Sequence, residues 1–205
     1  MTLRTASIAL ALLATAPVAI IAGPAAAQLG QSPGYKFLQA IKDGKNDEVI
    51  GFLDKPGATV VNTRDVDSGE GAIHIVVRRG DMPYLNYLLS KGADANLKDR
   101  RGESGILLAA RLGRLEMIQV LAKSGGNINL ANASGETALI VAVQRRDATM
   151  VRALLDLGAD PDQTDRLQGF SARDYAHQDK RGSAITTMID ATPKKERRGV
   201  SGPKL

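Results

Sequence analysis

Cysteine and tryptophan are absent from this 205-residue chain, and only 3% of its residues are aromatic. Without cysteine there is no disulfide, no thiolate nucleophile, no cysteine metal site and no lipidated cysteine anchor. The scarcity of rings argues against a sandwich or an aromatic-lined pocket. It points to a core of Ala, Leu, Ile and Val, which suits thin layers of small helices. Histidine is nearly as scarce. His74 and His177 stand far apart, with no H-x-x-x-H or H-E-x-x-H spacing, so a zinc site has no support. No G-x-G-x-x-G or P-loop is present, so nucleotide-binding chemistry lacks its entry motif. The expectation is a protein without cofactor or metal.

A hydrophobic fraction of 43% and a charged fraction of 24% exclude a disordered or collagen-like chain. The formal charge of +5 is confined to the ends. Arg4 supplies part of it, and Lys194, Lys195, Arg197, Arg198 and Lys204, against Glu196, supply the rest; residues 28–191 are balanced. A basic tail on a neutral body argues against a nucleic-acid-binding domain, and the tail lacks the interleaved aromatics that stack on bases. Residues 192–205, TPKKERRGVSGPKL, have no apolar period and read as a disordered basic tail, able to contact an anionic membrane surface.

Residues 1–27, MTLRTASIALALLATAPVAIIAGPAAA, carry one cation near the start, an Ala/Leu/Ile stretch, and small residues at Ala25 and Ala27. This is signal-peptide anatomy with cleavage expected after Ala27, which implies export to a periplasm or secretion. An uncleaved anchor over Ser7–Ala27 is the alternative.

The body is repetitive. Residues 68–99, 101–132 and 134–165 align without a gap. Gly69, Gly102 and Gly135 recur at one spacing, as do Gly92, Gly125 and Gly158, and the apolar columns Ile73/Ile106/Leu139, Leu85/Ile118/Val151 and Leu88/Leu121/Leu154 keep step. Each unit divides into a helix from about Gly71 to Arg79, a break at Gly80-Asp81, and a second helix to about Lys91. Asp81 and Asp147 stand where an N-cap accepts free amides, and Pro83 lies in a first turn, where its missing N–H costs little. Gly92, Gly125 and Gly158 suit the left-handed residue that ends a helix. Ala109, Ala110 and Ala142 allow close approach of neighbouring units. No unit buries its apolar face alone, so stacking must supply the core.

On these residues the chain resembles the ankyrin repeat family, which has the same period of 33 and a turn plus two helices per unit. The family's G-A-D-x-N signature stands as Gly92-Ala93-Asp94-Ala95-Asn96 and recurs at Gly125–Asn129 and Gly158–Asp162. Its T-P-L-H element appears as Gly71-Ala72-Ile73-His74, Ser104-Gly105-Ile106-Leu107 and Thr137-Ala138-Leu139-Ile140. The resemblance implies an all-α ankyrin repeat solenoid of helix-turn-helix units with short hairpin-like turns. About five repeats are expected, including two divergent caps, at about 35–67, 68–100, 101–133, 134–167 and 168–191. Residues 28–34 then form a linker.

The resemblance also implies a protein partner, bound by a monomer on a concave face of turn tips and first-helix ends. The matching positions are Asp67, Ser68, Glu70, Arg78 and Arg79; Arg100, Arg101, Glu103, Arg111 and Leu112; and Ala133, Ser134, Glu136, Gln144 and Arg145. Six of these fifteen are Arg, which suggests a partly basic groove for an acidic partner. Arg78, Arg79, Arg111 and Arg145 also lie near helix C-termini, where a cation is stabilising without any partner. Arg100 and Arg101 sit on a turn tip, outside that explanation. Two enzymatic features compete. Glu70, Glu103 and Glu136 recur at one repeat position and could, with His74, serve an enzyme's acid/base chemistry or bind a small molecule, although stacked carboxylates on an exposed turn, offset by Arg101, explain the same pattern. His74 occupies the family's T-P-L-H histidine position, which implies hydrogen bonds that tie neighbouring turns. His177 is expected in solvent.

Overall fold

The computed structural model describes residues 32–55, 59–179 and 183–194. The expected leader and nearly all of the basic tail lie outside the described residues. Among the described residues, five helix pairs follow one another: α1 (Pro33–Asp43) with α2 (Asn46–Leu53), α3 (Ala72–Arg79) with α4 (Met82–Ser90), α5 (Gly105–Arg111) with α6 (Leu115–Lys123), α7 (Ala138–Gln144) with α8 (Ala148–Asp156), and α9 (Ala172–Gln178) with α10 (Ser183–Asp190). The helical body begins before residue 35. Ser32 accepts the Tyr35 amide and Pro33 opens α1, so residues 33 and 34 belong to the first helix and not to a linker.

The first helices pack on one another in chain order, and each packs on its own second helix. Their burial follows from being flanked on both sides: Ala72–Val77, Gly105–Ala110 and Ala138–Val143 are buried throughout. The second helices bury one stripe each, Leu85 and Leu88, Met117 with Ile118 and Leu121, and Met150 with Val151 and Leu154. Spacings of three and four residues place these side chains on one helical face. Each fully buried aliphatic side chain contributes roughly 1.5–3 kcal/mol, and the alanines of α5 and α7 set the close helix spacing that lets adjacent units share one core.

The helix breaks have the local causes the sequence suggests. Asp81 and Asp147 accept the amides of Tyr84 and Met150 at 3.0 and 2.9 Å. Gly80 and Gly113 end first helices at φ +78° and +71°, and the third unit puts Arg146 in this left-handed position at φ +57°. That residue carries strain which the two glycines avoid. Between units the chain turns back on itself through isolated antiparallel bridges, Arg64–Gly71, Lys98–Ser104 and Thr164–Ser171. These short hairpins carry the face described next.

Candidate partner-binding groove

Each hairpin is organised by one side chain that collects backbone amides. Asp99 Oδ1 accepts from Arg101 and Glu103, both at 2.8 Å, and Asn132 Oδ1 accepts from Ser134 at 2.9 Å and Glu136 at 3.0 Å. Asp65 and Asp165 do the same in hairpins that hold one more residue before the glycine. The Ser68 amide and the Lys42 ammonium, 3.1 Å from Asp65, hold that carboxyl well below the usual carboxylate range. For Asp165 burial opposes ionisation, but the Tyr175 hydroxyl at 2.5 Å and three backbone amides outweigh it and lower the carboxyl. The same contact pushes Tyr175 up to about 12.

The hairpins then stack. Arg100 N–H donates to Ser68 O at 3.0 Å, Ala133 N–H to Arg101 O at 2.9 Å, and Arg166 N–H to Ser134 O at 2.8 Å. A Cβ on Gly102 would lie 2.9 Å from the Ala133 nitrogen, and φ there is +76°, so the close stacking requires glycine. At the other end of each unit Asn62, Asn96 and Asn129 each bridge forward, donating to a glycine carbonyl and accepting the amide two residues later.

The ends of the first helices carry Arg78 and Arg111 back over these hairpins. Arg78 pairs with Glu70, and Arg111 bridges Glu103 at 2.6 Å and Glu136 of the next unit. Arg101 closes the set, at 3.3 Å from Asp99 and 3.2 Å from Glu103. Burial disfavours the Arg111 charge, but its two glutamates prevail and raise its pKa. Over this network lie two cavities of about 410 Å³ that share Arg101, Arg111 and Asn132 as a common wall. One adds Arg78, Glu103, Leu108 and Leu112; the other adds Gln144, Leu167, Tyr175 and residues of the last two hairpins.

This arrangement of hairpin tips over first-helix ends is the one the repeat pattern implies, and the chain matches the family model for ankyrin repeats (3 copies) over residues 37–132 and again over 73–165. The chain belongs to the ankyrin repeat family. No curated protein matches it.

Within this ankyrin groove, Arg78, Arg101, Glu103, Arg111, Leu112 and Gln144 line the cavities together. Arg79 does not. It donates to the Ile41 carbonyl at the end of α1 at 2.8 Å, sits 3.2 Å from Asp81 and covers the Tyr84 ring, which makes it a helix cap and unit linker. Arg100, expected as a contact residue, is directed onto the preceding hairpin, where its guanidinium donates to Val66 O. Arg145 is exposed just beyond α7, outside both cavities. The groove is also not basic by count, because its arginines are matched by Glu70, Asp99, Glu103 and Glu136.

The glutamate ladder differs from an exposed turn as well: Glu103 is buried beneath its two arginines. His74 Nδ1 accepts the Gly71 amide at 3.1 Å and Nε2 donates to Glu103 O at 2.9 Å, so both ring nitrogens are engaged and the imidazole ties one unit to the next. His177 is half exposed, and its Nε2 lies 3.0 Å from Asp190 instead of standing free in solvent. No group of three His, Cys, Asp or Glu able to hold a metal occurs among the described residues.

Sequence reasoning missed Leu108, Asn132, Leu167 and Tyr175 as groove residues, and missed the role of Arg173. Arg173 is buried and pairs with Asp162 at 2.7 Å and Asp190 at 3.2 Å. It also donates to the carbonyls of Ile189 and Thr192. Asp162 stands where the asparagine bridge would continue, so a charged cap replaces the bridge in the last unit. The asparagine bridges themselves were visible in the repeated signature, which holds Asn96 and Asn129 at matching positions.

Proposed function

We propose that the chain is a non-catalytic protein-binding module or scaffold, exported to the periplasm, that seats its partner on the groove of Arg78, Arg101, Arg111, Leu112 and Gln144, with Arg145 at its edge. Ankyrin repeats in general are protein-protein interaction modules. The observation that carries the reading here is the pair of adjoining cavities, walled by exposed guanidinium groups and two exposed leucines. Arginine and exposed apolar side chains beside a cavity are what interface hot spots use. The competing enzymatic reading needs a carboxylate or imidazole with a free face in a dry pocket. Glu70, Glu103 and Glu136 are each engaged by arginine and His74 by backbone, which favours binding.

Export rests on the leader sequence, and its test is direct: the mature protein from a periplasmic extract begins at Gln28. An intact Met1 in the membrane fraction supports the anchored alternative. Partner binding is tested by affinity capture of the tagged full chain from its source cell, alongside an Arg101→Ala/Arg145→Ala variant. Both arginines are exposed, so the variant stays folded. One protein retained by the wild type and lost by the variant supports the reading. Retention of the same proteins by both refutes it.

A further inference from the structure

The charges of the groove are balanced in number but layered in depth. Asp99 and Glu103 expose 3% and 7% of their side chains, and Glu70 and Glu136 are mostly covered, whereas Arg101 exposes 72% and Arg78 and Arg111 about half as much or more. The carboxylates form an inner row and the guanidiniums an outer one. A partner approaching from solvent therefore meets N–H donors first. Arg101 engages two of its five N–H donors with Asp99 and Glu103, and Glu103 keeps Arg111 at 2.6 Å if Arg101 is drawn outward. The inner row fixes the guanidiniums in place before any partner arrives, which removes part of the entropy cost of binding.

The two cavities meet along Arg101, Arg111 and Asn132, and each is lined by one exposed leucine: Leu112 in one, Leu167, with 79% exposure, in the other. Leu167 projects because the Asp165 hairpin holds one residue more than the central hairpins, which leaves it unpacked by the body of the stack.

Building on the partner-binding reading above, we propose that the groove recognises an extended protein segment in which an acidic residue is flanked on both sides by apolar residues. The carboxylate accepts from Arg101 at the shared wall, in the bidentate geometry guanidinium favours. The apolar side chains enter the two cavities, one against Leu112 and Leu108, the other against Leu167 and the Tyr175 ring. Because the inner carboxylates cancel the long-range field, recognition depends on contact and not on bulk charge: a polyacidic chain without apolar flanks binds poorly, and affinity falls only modestly with salt.

The test is selection of a random 12-residue displayed peptide library on the full chain, followed by fluorescence anisotropy with the enriched peptides. The expected result is enrichment of Asp or Glu between apolar residues. Affinity should then fall at least tenfold with Arg101→Ala, with Leu167→Ser, or when the peptide's acid is changed to its amide. Circular dichroism of both variants must match the wild type, as expected for such exposed side chains. Enriched peptides that lack an acidic residue but still depend on Leu112 and Gln144 overturn this inference and leave the partner-binding reading standing. Peptides indifferent to every groove substitution, or no enrichment at all, overturn both.

Discussion

Replacing His74 by leucine isolates the contribution of a single inter-unit tie. The same repeat position is Leu107 in the next unit and Ile140 in the one after, both fully buried in first helices that end on the same face. Leucine therefore fits the site, and the substitution removes hydrogen bonds with little change in packing. Two groups lose a partner. The Gly71 amide, which Nδ1 accepts, is left buried and unpaired at about 1–3 kcal/mol, because leucine at the third helical position offers no acceptor. The Glu103 carbonyl keeps the Asp99 amide at 2.9 Å, so its loss is smaller, about 0.5–1.5 kcal/mol. Together His74→Leu destabilises the stack by about 2–4 kcal/mol. Urea unfolding followed by helical circular dichroism reads this as a lower midpoint with an unchanged slope. Nitrogen NMR of the wild type shows the proton on Nε2. A loss below about 1 kcal/mol, or an Nδ1-protonated ring, refutes the assignment of His74 as a structural tie.

Three further outcomes follow from the same geometry. Arg173→Ala leaves Asp162, Asp190 and two carbonyls at the end of α10 without their shared donor. It costs about 2–3 kcal/mol, less than a fully dry pair because Asp190 is exposed, and hydrogen exchange rises selectively over Ser183–Asp190. Gly102→Ala, at φ +76° with backbone 2.9 Å away, lowers stability by about 1–3 kcal/mol, whereas Gly51→Ala, inside α2 with open space around it, raises it by up to about 1 kcal/mol. Asp65 has a folded pKa below its unfolded value, so its contribution is complete above about pH 4 and is lost as the pH falls further; Asp65→Asn, which keeps an amide acceptor as Asn132 does, flattens melting temperature against pH in that range.

The fold was legible because its causes are local and repeat. The glycine columns, the apolar columns and the capping aspartates each act within one unit, and the structure returns them at the expected places: Gly92, Gly125 and Gly158 have φ of +84°, +87° and +86°. The groove was legible in outline only. Arg111 reaches Glu136 in the following unit, and Arg79 reaches Ile41 in the preceding one. Such contacts depend on the offset between stacked units, which residue spacing within a unit does not encode. For that reason the arginines of the groove suggest a partly basic surface in the sequence, and the structure instead sets Arg79 as a helix cap, Arg100 as a hairpin tie and Arg78, Arg101 and Arg111 in a neutralised ladder. The extra residue in the Asp165 hairpin is visible in the sequence, but that it lifts Leu167 into the groove is a property of the folded hairpin.

The central claim is that a partner occupies the groove face. It is tested most directly by placing a photo-crosslinking amino acid at Leu112 or Leu167 in the full chain, with Gln119 and Thr149 on the exposed side of the second helices as controls, and illuminating intact source cells. The account predicts one discrete adduct from both groove positions and none from the controls. Adducts from Gln119 or Thr149 with none from Leu112 and Leu167 would contradict it.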